Sequence, residues 1–436
     1  MVAAIAAALA LAGCPGPDPG PDAAPQPTPS PIPGGRVVFG VVGGPPTLDP
    51  YSPVATDLTR ALIRPLYPSL FRFGPDGEVV PDLASDFDIT GFAAHVELAQ
   101  RRWSNGRRIT PADVVASVRR ARPPSGFAGL RARVQGRTHV VFEGRKHNWK
   151  KTLATSTYVL PGGRSRPRAV TSGPFELVRF VPGMKLDLAR STTWEGEPAY
   201  LNRIRVFFLE TLDIAIELME RDRLDAAALP SSVNLDERLD EIGLAHAEAL
   251  GWESVRVEFN RATLTQDQWV GAAQRIDITA MERGFVRDDG RVANTLYPGP
   301  DVWDGPYSHL SVPGEKPDEL RLAAPAGDEL LGLMQRAMQI HLGRADIDTE
   351  VVTVPADRLY GEWRDSSPFD AALLRVAGAP GLTDARAIAS RTFARPLFHV
   401  ETLLAWHYGI GGLVPNPTLE GPLWNAEGWF RNTGQI

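Results

Sequence analysis

Residues 34–50 read Gly34-Gly35-Arg36-Val37-Val38-Phe39-Gly40-Val41-Val42-Gly43-Gly44-Pro45-Pro46-Thr47-Leu48-Asp49-Pro50. The short β-branched run between glycines, Arg36 to Val42, has the pattern of a strand buried on both faces. What surrounds it decides the class. Downstream, Thr110-Pro111-Ala112-Asp113 opens a helix with a capping residue, proline at the first helical position and an acidic third residue, and Val114, Val115 and Val118 then fall on one face. Thr211 to Arg223 reads the same way, and Leu224 to Leu229 follows as a short strand. Leu320 to Ala323 predicts a strand, Asp328 to Leu342 a helix with Leu330, Leu331, Met334 and Met338 toward a core, and Thr349 to Val354 the next strand. Alternation of this kind predicts α/β domains with mixed sheets, whose ligand crevices lie beyond the carboxyl ends of the strands.

Upstream, Pro15 to Pro33 alternates proline with Gly, Asp, Ala, Gln, Thr and Ser and carries no apolar periodicity. Such a segment favours extended polyproline II at ~3.1 Å per residue, enough to hold a folded body up to roughly 60 Å from an anchor. Before it, Val2 to Leu11 is an apolar run of secretory h-region length, too short for the ~20 residues of a spanning helix. It ends in Leu11-Ala12-Gly13-Cys14, and Cys14 is the only cysteine. The four residues resemble the bacterial lipobox, in which the cysteine thiol accepts diacylglycerol.

The chain has 436 residues, 43% hydrophobic and 22% charged, the balance of a globular protein of two or three domains. A net charge of −6 leaves no overall excess of positive charge to neutralise phosphates, and no Lys/Arg-rich run with interleaved aromatics stands out, so nucleic acid is not expected as a partner. One cysteine excludes an internal disulfide and a cysteine-rich metal site. There is no Gly-x-Ser-x-Gly elbow, His-Glu-x-x-His, Walker loop or Gly-x-Gly-x-x-Gly after a strand. His399 and Glu401 would share a strand face, with His407 nearby, but a complete ligand set for a metal is not evident. Carboxylate pairs such as Asp222 with Asp225, or Asp236 to Glu241, read as solvated helix faces. Neither an enzyme nor a cofactor is expected.

A series of blocks in fixed order resembles family 5 of the extracytoplasmic solute-binding proteins, the peptide- and nickel-binding lipoproteins of ABC importers. The opening run to Pro45–Pro50 is similar to the family's start, and Leu66 to Phe73 with Gly77-Glu78-Val79-Val80-Pro81-Asp82-Leu83-Ala84 to its "V-P-x-L-A" segment. Trp103-Ser104-Asn105-Gly106 with Ile109 to Val115 resembles its tryptophan-turn-"T-A-x-D-V" signature. Thr171-Ser172-Gly173-Pro174-Phe175, Val181-Pro182-Gly183, Trp194-Glu195-Gly196 and Leu201-Asn202-Arg203-Ile204 follow at the family's spacing. Leu218 to Ala226 is similar to "L-x-x-G-x-x-D" with Asp222 in the glycine position, and Val257-Glu258-Phe259-Asn260 to the crossover strand ending in Asn. Phe369 to Leu374 matches "F-D-x-x-L". After it, Arg375-Val376-Ala377-Gly378-Ala379-Pro380 departs from the family's glycine-tryptophan and Asp step, whose acidic residue pairs with a peptide's α-amino group.

The resemblance implies a two-lobe periplasmic-binding-protein-like α/β fold (type II, cluster C) with an extra inserted domain. By that plan residues 1–13 are a lipoprotein signal peptide and 14–33 a proline-rich tether. Lobe I takes 34–50, 166–257 and 406–436, the inserted domain 51–165, and a shortened lobe II 258–405. The implied function is capture of a small solute, such as a peptide, by hinge closure and its delivery to an ABC permease, by a monomer anchored through Cys14 to the outside of the bacterial cell membrane. The alternative is a degenerate binding fold with an envelope interaction or regulatory role. Expected cleft residues are Pro46, Thr47 and Leu48, then Thr171, Ser172, Gly173 and Phe175, then Phe259 and Asn260 at the crossover, and Trp303, Tyr307 and Arg375 from lobe II. Arg375 in the cleft would favour a ligand bearing carboxylate or phosphate.

Overall fold

Strand β1 (Arg36–Val42) forms where the glycine-bounded run predicts it, with Val37, Phe39 and Val41 in one apolar core and Val38 and Val42 against another. The computed structural model describes residues 31–122, 125–144, 146, 148–165, 170–232, 234–285, 313–355, 359, 368–377 and 394–432. After β1 come α1 (Asp57–Leu62), β2 (Phe71–Phe73), β3 (Val79–Pro81), β4 (Ala84–Thr90), β5 (Ala93–Leu98), α2 (Pro111–Arg120), β6 (Arg131–Gln135), β7 (His139–Glu143) and α3 (Trp149–Ala154). The next run is β8 (Phe175–Val181), β9 (Lys185–Arg190), β10 (Arg203–Leu209), α4 (Leu212–Glu220), β11 (Ala226–Pro230), α5 (Leu235–Glu241) and β12 (Ala245–Phe259). Then follow α6 (Gln266–Gln274), α7 (Ile278–Phe285), β13 (Glu319–Pro325), α8 (Glu329–Arg344), β14 (Asp348–Val354), β15 (Ala371–Ala377) and β16 (Ala394–Trp406).

One ten-stranded sheet runs β14-β13-β15-β12-β16-β11-β1-β10-β9-β8. Its two longest strands, β12 and β16, pair antiparallel from Ala245↔Trp406 to Glu258↔Ala394. Strand β11 pairs with β16 only between residues 402 and 406, whereas β15 pairs with β12 only between 253 and 259. The two halves of the sheet therefore hang from opposite ends of one two-stranded ribbon, which makes two lobes of a single sheet. Between those ends the β12–β16 register slips, at Leu250/Ser254 and again at Val255/Arg256. Irregular pairing there leaves the ribbon fewer ladder bonds and more twist at the point where a hinge is needed.

Each lobe buries both faces of its sheet. In the first, β1, β10 and β11 are mutually parallel, with α4 and α5 contributing Leu212, Ala215, Ile216, Met219, Leu235 and Leu239 to one side. Gly40 permits that approach: a Cβ there would meet Leu224 at 2.8 Å and Leu209 at 3.1 Å. In the second lobe β13 is parallel to β14 and β15, and α8 lays Leu330, Leu331, Met334 and Met338 on Leu320 and Leu322.

Residues 51–165 carry a four-stranded sheet, β4-β5-β7-β6, with α2 against β6 and β7. This segment shares one continuous core with the first lobe, from Phe39 and Phe175 through Leu66 and Tyr67 to Trp103 and Phe142. Fusion is completed by charge: Arg64 and Glu420, from opposite ends of the chain, form an ion pair with side chains 2% and 1% exposed. Burial pulls the Arg64 guanidinium down, and the Glu420 carboxylate beside it more than offsets that, so it is held above its usual value.

Candidate functional site

In open α/β sheets ligands bind beyond the carboxyl ends of the parallel strands. In the first lobe those ends are Val42, Leu209 and Pro230; in the second they are Pro325, Val354 and Ala377. The fold turns the two sets toward each other across the β12–β16 ribbon. A Cβ added to Gly327, just past β13, would stand 4.0 Å from the carbonyl oxygen of Glu210, just past β10. Arg375, near the end of β15, donates from Nη2 to the carbonyl oxygen of Ser231 at 3.1 Å, just past β11. This seam between residues 210–211 and 231–232 on one side and 326–328 on the other is the candidate binding site.

Polar groups at the seam are held by the elements that carry them. Asp328 caps α8 by accepting from the Leu331 N–H at 3.0 Å, and its two oxygens also take Arg375, Oδ2 from Nε at 2.6 Å and Oδ1 from Nη2 at 3.1 Å. The Ser231 hydroxyl donates to the Glu401 carbonyl on β16 at 2.7 Å, which fixes the loop that presents its own carbonyl to Arg375. Arg375 thus ties the second lobe to the first through a planar fork whose geometry suits a carboxylate. The carboxylate it holds is the protein's own Asp328.

The other predicted residues divide by depth. Pro46 is exposed and Thr47 half-buried, with its hydroxyl accepting from the Asp49 N–H at 3.1 Å. Leu48, at 5% exposure, is inside the first lobe's core, as is Phe175 at 0%. Thr171, Ser172 and Gly173 stitch β8 to the inserted segment: the Thr171 carbonyl accepts from the Ser104 N–H at 2.7 Å and Ser172 donates its hydroxyl to the Arg102 carbonyl at 2.6 Å. Gly173 lies so close to Pro65 that a Cβ would overlap its carbonyl oxygen. Phe259 packs on Trp269 in the second lobe's core, ring centroids 5.7 Å apart. Asn260 is a clamp, its amide donating to the Phe369 carbonyl at 2.9 Å and its oxygen accepting from the Ala262 N–H at 2.9 Å. Leu48, Phe175 and Phe259 are thus buried in the cores of their lobes, and Asn260 at a strand junction. Cys14, Trp303 and Tyr307 lie outside the described residues.

Asp328 and Ser231 were not among the expected site residues. Asp328 is visible in the sequence as a helix cap, but its pairing with Arg375 depends on two strands meeting side by side. Ser231 carries no local signal, since it contributes a backbone carbonyl.

A sheet of two lobes on a two-stranded ribbon, with facing strand ends, defines a periplasmic-binding-protein-like fold. The chain belongs to the bacterial extracellular solute-binding proteins, family 5, whose middle segment matches residues 78–319. The fold is similar to that of the oligopeptide-binding protein AppA of Bacillus subtilis, solved with a nonapeptide, at a TM-score of 0.76 and 16% identity over 93% of this chain and 100% of that one. It is similar as well to NikZ of Campylobacter jejuni, solved with Ni(L-His), at 0.74 and 14% over 91% and 99%. A dipeptide-binding protein of Pseudoalteromonas sp. SM9913, solved with Met-Leu, matches at 0.75 and 15% over 91% and 100%. No curated protein matches the chain in sequence. Among the described residues no helix is long and apolar enough to cross a membrane.

Proposed function

We propose that this protein is the solute-binding component of an ABC importer, anchored outside the cell membrane through Cys14 and the proline-rich segment that follows it. A small solute enters the seam, the lobes close about the β12–β16 ribbon, and the closed form is what a permease engages. The observation that carries this reading is the opposition of the two sets of strand ends across a ribbon whose register slips between them. Such a site binds; it needs oriented polar groups and no nucleophile. Structurally similar proteins were solved with a nonapeptide, a dipeptide and a nickel–histidine complex, so peptides and metal chelates are the first solutes to try. A solute at a hundred times its dissociation constant should stabilise the body by about 2.7 kcal/mol, read as a rise in thermal midpoint. Absence of any rise across a pooled peptide library and nickel–histidine would contradict the reading.

One observation favours a second reading. Arg375, held by its ion pair with Asp328 in the second lobe, reaches across the seam to the Ser231 carbonyl of the first. A brace of that kind suits a lipoprotein whose closed lobes serve an envelope partner. In that case no solute stabilises the body while Arg375→Ala weakens the partner's binding.

A further inference from the structure

The ribbon that joins the lobes is polar inside at the place where its pairing slips. Leu250 of β12 pairs with Glu401 of β16 and Ser254 with His399, so residues 251–253 stand against Val400 alone. On the other side, β15 pairs with β12 only from Glu253 onward. Gly251 and Trp252 therefore pair with neither neighbouring strand and form a bulge. From Glu253 to Phe259 the pairing with β15 is regular. Ser254, Arg256 and Glu258 thus share one face of β12, while Val255, Val257 and Phe259 take the other, in the second lobe's core. Ser254 is 0% exposed, and its hydroxyl has no hydrogen-bond partner among the described residues. Arg256 gives Nη2 to the Glu258 carboxylate, but its buried Nε has no hydrogen-bond partner among them either.

Leaving a buried donor or acceptor unmatched is costly, and folded proteins satisfy nearly all such groups with protein atoms or ordered water. The side chains of Ser254 and Arg256 leave one strand face ~6.8 Å apart, close to the span of two hydrogen bonds of ~2.9 Å through a single water oxygen. Glu258 already balances the guanidinium, so the two groups call for a neutral molecule rather than an ion. Water meets both needs. Its oxygen accepts from the Arg256 Nε–H, one hydrogen goes to the Ser254 hydroxyl oxygen, and the other is left for the backbone of the bulge.

We propose that the β12–β16 ribbon binds one structural water between the Ser254 hydroxyl and the Arg256 Nε–H, beside the 251–253 bulge. A water there lets the bulged residues turn without stranding a buried donor, which suits the point where the two lobes are joined. The site does not depend on whether a solute binds at the seam. Its test is a crystal structure of Pro31–Ile436, which forms a compact unit of its own, at a resolution that orders waters. Density for a water within hydrogen-bonding distance of both atoms is the expected result. Ser254→Ala removes one of its anchors and should lower the thermal midpoint by about 2 °C. A Ser254 hydroxyl bonded directly to a protein group, or no water between the two atoms, overturns the proposal. So does a midpoint that Ser254→Ala leaves unchanged or raises, as loss of an unmatched hydroxyl would. If Ser254→Ala does not fold, the crystal result alone decides.

Discussion

Asp113 shows why the tryptophan-turn segment has its residues. The carboxylate is 2% exposed and collects Arg107 at 2.8 and 3.1 Å, the Thr110 N–H at 2.9 Å, the Gly162 N–H at 2.8 Å and, more loosely, the Trp103 indole N–H at 3.4 Å. Asparagine there would keep one acceptor oxygen but turn an NH2 donor toward the donors of Arg107 and the backbone amides. Asp113→Asn should cost about 3 kcal/mol, read by urea unfolding. Burial alone would raise Asp113, Asp82 and Asp187, yet Arg107 with its neighbouring amides, Arg101 with Arg72, and Arg205 with Lys185 hold all three below the ordinary carboxylate value. A carboxyl whose folded value is depressed stabilises above its unfolded value and loses that contribution as pH falls through the folded one. The thermal midpoint should therefore be flat from neutrality to about pH 5 and fall below about pH 4, less steeply in Asp113→Asn. Asp222 makes a different point. It falls in the glycine position of the family's L-x-x-G-x-x-D pattern that this segment resembles, and its φ of 55° is the left-handed region that glycine enters without strain. Asp222→Gly should raise stability by about 0.5 kcal/mol; a loss of that size would mean the side chain matters more than the backbone.

At the scale of elements, what was legible was local. Helices α2, α4 and α8 begin where capping residues Thr110, Thr211 and Asp328 predict, because cap and apolar period lie within a few residues of each other. The family's short blocks also proved to be local fastenings. Asp370 accepts from the Arg321 N–H at 2.8 Å and Asn260 holds the Phe369 carbonyl, so "F-D" and the crossover Asn join the starts of β13 and β15 to the end of β12. This is why Asn260 and Phe259, expected from the sequence to contact ligand, are interior supports. The Arg375–Asp328–Ser231 brace was not legible, since its three residues come from β15, the cap of α8 and the loop after β11. Arg375→Ala should lower stability by about 2 kcal/mol and enlarge the radius of gyration of the unliganded body by letting the lobes part. An unchanged scattering profile would deny the brace its role at the seam.

For the whole molecule, the two-lobe plan follows from how far β12 and β16 run together and which strands pair at each end of that ribbon. Strand order in a ten-stranded sheet is set by contacts between distant residues, and no local pattern in the chain encodes it. Alternation of strands and helices was enough for the α/β class and for placing ligands at strand ends; it was not enough to show that residues 51–165 share one core with the first lobe.

Whether a small solute is held at the seam is the question on which the functional reading turns. Native mass spectrometry of Pro31–Ile436, gently purified and then exposed to a pooled peptide library and nickel–histidine, tests it directly. A single stoichiometric adduct of small-molecule mass is the predicted result. One unliganded mass under every condition would contradict it.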